Sequence, residues 1–225
     1  MRGRRVGLCE TQTETTRVVL LGKEGVGKSA FAVRFLTRRF IGEYDKDLES
    51  SHRQFLDLDK RRCIQVHDTA GEITSAAIQR LATQADVFII IYSITDRHSF
   101  QEAKRFVCTT INSRNPHNLP HILLVGNKKD LEHLREVSDL EGAELSRQFS
   151  CSFREISVSE RDGYREVSEV MRTALRDVMC KNVVTQSQGR KSSSSGWYLT
   201  KMKEGIIKRT GSIRKKSLTQ SRDIA

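Results

Sequence analysis

Between residues 17 and 180, short runs of β-branched and aliphatic side chains alternate with stretches whose apolar positions recur every three or four residues. Runs of the first kind suit strands and stretches of the second kind suit amphipathic helices. Strands are therefore predicted at 17–21, 54–58, 63–67, 87–92, 122–125 and 153–157. Helices are predicted at 28–37, 75–83, 99–112, 138–149 and 165–180. Only the second and third strands lie close enough in sequence for a hairpin. The remaining alternation predicts an α/β fold, a six-stranded mostly parallel sheet with helices on both faces and its ligand at the carboxyl ends of the strands.

Three motifs follow strands in that way. The first is Gly22-Lys23-Glu24-Gly25-Val26-Gly27-Lys28-Ser29, a G-x-x-x-x-G-K-S run that opens a helix at Lys28. Glycines let successive N–H groups, through Ala30, turn inward around phosphate oxygens. The helix start adds partial positive charge, Lys28 reaches the outer phosphates and Ser29 ligates Mg²⁺. This is the signature of a P-loop NTPase. The second motif, Asp68-Thr69-Ala70-Gly71, ends the third strand. Asp68 suits Mg²⁺ held through water, and the Gly71 N–H suits a terminal phosphate. The third is Asn127-Lys128-Lys129-Asp130. An ionised carboxylate only accepts hydrogen bonds, so Asp130 fits the two donors on the Watson–Crick edge of guanine and not the acceptor of adenine.

Together these motifs resemble the small GTPases of the Ras superfamily over about residues 17–180. The stretches 31–41, 92–96 and 125–131 are most similar to the Ras branch, near the Ras-related estrogen-regulated growth inhibitor group. The resemblance implies an intracellular signalling protein that binds GTP or GDP with Mg²⁺. It also implies that Phe40 packs against the guanine, Asn127 braces the phosphate loop and Lys128 lays its stem over the base. Ser157 and Val158 fall in the last base-contacting loop, where the N–H near Val158 would meet the guanine oxygen. Val158 and Ser159 depart from the Ala and Lys usual there, and the second change removes a stacking contact.

Other departures fall where hydrolysis would occur. The first effector loop reads Tyr44-Asp45-Lys46-Asp47, with Asp47 in place of the threonine that serves Mg²⁺ and the γ-phosphate. Asp47 is an alternative metal ligand, but two unit charges about 5 Å apart at an effective dielectric near 20 repel by about 3 kcal/mol. Lys46 or Lys23 is expected to relieve that repulsion. Glu72 follows Gly71 where the family has a water-orienting glutamine, and the segment is a residue short. Glu24 replaces the glycine that admits an activator's arginine. These changes predict slow GTP hydrolysis and resistance to Ras-type activators. The alternative is a non-cycling nucleotide-binding adaptor. His67 and the cysteines are assigned no role beyond packing.

Composition changes the picture only at the ends. The 225 residues carry a formal charge of +11, yet residues 18–180 hold 24 basic and 24 acidic side chains. Residues 181–225 hold eleven basic and two acidic side chains. A nucleic-acid partner is therefore not expected, because the charge is not attached to a reading element. The division expected is an N-terminal extension at 1–16, a nucleotide-binding domain at 17–180 and a basic, Ser-rich tail at 181–225. Five scattered cysteines form no Cys-x-x-Cys pair, which suits a reduced cytoplasmic monomer. No apolar run is long enough to span a bilayer. The C-terminus has no prenylation cysteine and Arg2 excludes myristoylation, so no lipid anchor is expected. Within 197–217, Leu199, Met202 and Ile206 share one helical side among lysines. That pattern suits an anionic membrane or calmodulin, with phosphorylation at Ser212 or Ser217 weakening the hold, and it equally suits a solvated basic tail.

Overall fold

A computed structural model describes residues 14–40, 50–55, 62–113 and 120–187. Asp47 and its loop, residues 1–13 of the N-terminal extension and the 197–217 tail lie outside the described residues, whereas residues 14–16, expected to belong to that extension, join the first strand. The chain divides into two units, Met1–Cys180 and Lys181–Ala225.

The first unit is built on strands β1 (Glu14–Leu21), β2 (Ser50–Phe55), β3 (Arg62–Asp68), β4 (Val87–Ser93), β5 (His121–Asn127) and β6 (Ser152–Glu155). Their order in the sheet is β2-β3-β1-β4-β5-β6. Every pairing is parallel except that of β2 with β3, the predicted hairpin. Helices α1 (Lys28–Thr37), α2 (Ser75–Ala82), α3 (Arg97–Asn112) and α4 (Asp139–Phe149) fill connections between strands, and α5 (Gly163–Ser187) follows β6. A 3₁₀ segment, Lys129–Leu134, lies between β5 and α4 and was not foreseen.

Alternation along β1 divides the core. Val18 and Leu20 join Phe31 of α1 and Val167, Val170 and Met171 of α5 on one face. Val19 and Leu21 join Ile78, Phe100, Phe106 and Leu145 on the other, beneath α2, α3 and α4. The central strand β4 is buried at every position, as a parallel strand covered on both faces should be. Each large apolar side chain buried there contributes about 1.5–3 kcal/mol. This packing fixes the carboxyl ends of β1, β3, β5 and β6 along one edge, where all the motif loops emerge.

Several boundaries differ from the sequence pattern. β2 begins four residues before its predicted run, with Ser50 paired to Asp68 and Phe55 to Cys63, and residues 56–58 of that run lie outside the described residues. α3 starts two residues early because Asp96 accepts hydrogen bonds from the His98 and Ser99 N–H groups. α5 continues past Cys180 to Ser187.

Candidate phosphate and base site

The turn after β1 is set by close approach. Gly25 and Gly27 have φ of +75° and +100°. A Cβ on Gly22 would lie 2.4 Å from the Ile91 carbonyl oxygen, so the loop passes tight over β4. α2, α3 and α4 each begin on a side-chain cap, whereas Gly27 caps α1 with no side chain. The first N–H groups of α1 therefore take no bond from a capping side chain, an arrangement suited to anions. Val26 and Ala30 are buried in the core, so only their backbones can serve a ligand. Lys28 is buried and its Nζ donates to the Lys23 carbonyl at 3.1 Å, lying across the loop. Burial pushes the Lys28 ammonium below its ordinary pKa, and the charges of Asp68 and Glu24 oppose that shift.

Asp68, at the end of β3, is 3 % exposed. Burial pushes its carboxyl upward, opposed by a hydrogen bond from Ser29 and by the Lys28 charge. Among the described residues its buried Oδ1 has no hydrogen-bond partner. A buried carboxylate oxygen left unpaired beside a serine hydroxyl is costly on its own and fits a hard cation. Among the described residues no group of three or more His, Cys, Asp or Glu exists that would hold a metal. Mg²⁺ at Ser29 and Asp68 would take its other oxygens from phosphate and water, its common habit. Thr69 donates to the Leu20 carbonyl at 2.8 Å and ties this turn to β1. Beyond it, a Cβ on Gly71 would lie 2.6 Å from Glu24 Cβ, so the second motif abuts the phosphate loop. Glu24 and the adjoining Glu72 are exposed at that junction.

Lys23 is engaged elsewhere, its Nζ 3.0 Å from Asp96 Oδ2. It serves the start of α3, and the loop carrying Asp47 lies outside the described residues.

The third motif joins the same edge. Asn127 Nδ2 donates to the Val26 carbonyl at 2.8 Å, and its Oδ1 accepts from the Val158 N–H at 3.1 Å. One side chain therefore links the phosphate loop to the loop after β6. A guanine oxygen at Val158 would have to share that N–H. Lys128 adopts a left-handed backbone with φ +67°, which turns the chain into the 3₁₀ segment. Asp130 is exposed, and its Oδ1 accepts from Ser157 Oγ at 2.5 Å. Phe40, beyond the end of α1, is 43 % exposed. Glu166 and Arg34 also contact the base loop but belong to no motif. Their partners lie far away in sequence or on backbone atoms, so no spacing rule marks them.

The family model described as Ras family matches residues 17–180. The chain belongs to the Ras family. Human Ras-related and estrogen-regulated growth inhibitor is 36 % identical over 180 residues, covering 80 % of this chain and 89 % of that protein. GTP-binding protein Rit1 of Mus musculus is 35 % identical over 183 residues, covering 80 % of this chain and 83 % of its own length. The Ras-like protein rasB of Dictyostelium discoideum is 35 % identical over 191 residues, covering 84 % and 94 %. This Ras-family chain is thus a small GTPase of the signalling type. No helix among its described residues is long and apolar enough to cross a membrane.

Proposed function

We propose that the chain is a guanine-nucleotide switch that holds GTP or GDP with Mg²⁺ and hydrolyses GTP slowly. The observation that carries this reading is the convergence of Lys28, Ser29 and Asp68 at the phosphate loop, joined through Asn127 to the loop that meets Asp130. The loop N–H groups from Gly22 to Ala30 and the Lys28 ammonium bind the phosphates. Ser29 and Asp68 hold Mg²⁺, which supplies charge neutralisation at the β- and γ-phosphates. Asp130 accepts from the guanine donors and rejects adenine.

Slow hydrolysis is supported by what stands beside the phosphate loop. Glu72 follows Gly71 and offers no amide to orient water, and Glu24 presents a carboxylate where an activator's arginine would pass. Single-turnover hydrolysis by the full chain tests this. The expected rate lies well below that of an ordinary Ras protein and does not rise when a Ras-type activator is added. A rate equal to that of an ordinary Ras protein, stimulated by the activator, overturns the slow-hydrolysis reading. Retained GTP with no turnover would make the domain a structural nucleotide holder instead.

A further inference from the structure

The loop between β6 and α5 is gripped by side chains outside all three motifs. Glu166, in the first turn of α5, accepts the Ser157 N–H on Oε2 at 2.8 Å. Arg34, 8 % exposed on α1, donates from Nη2 to the Glu160 carbonyl at 2.5 Å and the Arg161 carbonyl at 3.1 Å. A Cβ on Gly163 would stand 2.3 Å from the Ser157 carbonyl oxygen, so the start of α5 is pressed against the loop. Ser157 then passes the restraint on, because its hydroxyl donates to Asp130 Oδ1.

We infer that Glu166 is a positioning residue for base selection, acting through Ser157 on Asp130, with Arg34 supporting the same loop from the phosphate-binding helix. This rests on the guanine-nucleotide reading above. A bond from a backbone N–H to a carboxylate is charge-assisted and stronger than a neutral one. It fixes the Ser157 backbone, and the fixed backbone keeps the hydroxyl on one oxygen of Asp130. The Asp130 carboxylate is then held in one orientation, as two parallel acceptor contacts to guanine require. Ser159 stands where the family pattern has a stacking lysine, so the loop depends on these protein contacts for its order.

Release of ribose-labelled GDP and IDP from the full chain with Mg²⁺ tests the inference. Inosine lacks the exocyclic amine, so Asp130 meets one donor in place of two. Glu166→Ala is expected to speed GDP release about tenfold and IDP release much less. Glu166→Gln keeps an acceptor for the Ser157 N–H and should stay within about threefold of the unaltered chain. In a Ser157→Ala background, Glu166→Ala should add little to the loss of GDP-over-IDP preference. Equal acceleration of both nucleotides, or of neither, overturns the inference. If Glu166→Ala does not fold, Glu166→Asp withdraws the carboxylate by one methylene and is read by the same ratio. An unaltered chain that fails to retain GDP overturns the guanine reading and this inference with it.

Discussion

A Cβ on Gly27 would lie 2.4 Å from Asn127 Nδ2, at a residue whose φ is already +100°. Gly27→Ala therefore strains the backbone and displaces the side chain that joins the phosphate and base loops. We expect it to lower stability by about 1–3 kcal/mol and GDP affinity by at least about tenfold, measured by thermal melting and nucleotide titration. Unchanged values of both would contradict the brace. Gly25 also has a positive φ, +75°, but no described residue lies within 4 Å of its Cβ position, so among the described residues only backbone strain opposes substitution there. Lys28, Ser29 and Asp68 are legible in the sequence because their chemistry depends on short spacing after a strand. The Lys23–Asp96 and Ser157–Glu166 contacts are not, since each joins residues from different loops and helices.

Among elements, α4 shows how local chemistry sets a boundary. Ser138 caps it and Glu141 returns the bond to the Ser138 N–H at 3.1 Å, a reciprocal capping box. Ser138 is therefore the cap and not the first helical residue. Ser138→Ala should cost about 1 kcal/mol. Arg97 reaches the same carboxylate from α3. Its hydrogen bond, with those from Ser138, lowers the Glu141 pKa from 4.5 to about 2. A carboxyl depressed in the folded state stabilises above its unfolded pKa and loses that contribution as pH falls through the folded value. The stability difference between the unaltered chain and Glu141→Gln should thus be constant above pH 5 and shrink toward pH 2. Glu141 is 38 % exposed, so screening keeps this difference below about 1 kcal/mol. Chemical denaturation across that range measures it, and a difference that grows toward low pH would refute it. The box joins residues three apart in the chain, whereas the Arg97 contact needed α3 and α4 to pack together.

For the whole molecule, ligand binding and folding are linked, because the phosphate loop, Asp68 and the base loop come together only when the sheet is complete. GDP at a hundred times its dissociation constant should add about 2.7 kcal/mol, a rise in melting temperature of about 5–10 °C for a domain of this size. Asp68→Asn should abolish the part of that rise that depends on Mg²⁺ and retain the part that does not. A melting temperature indifferent to GDP would remove the linkage. The sequence by itself determined the sheet's composition, its mostly parallel character and the three loops, because period, turn residues and motif spacing are local properties of the chain. It also confined the net charge to the ends. Only the tertiary structure decided which other side chains brace those loops, Thr69 on β1, Glu166 and Arg34 on the base loop and Lys23 on α3, and that Asn127, expected at the phosphate loop, also takes the Val158 N–H of the base loop. The physical reason is that a hydrogen bond has a reach of about 3 Å, so partners far apart along the chain are chosen by packing, which places their backbones, and not by any interval in the sequence.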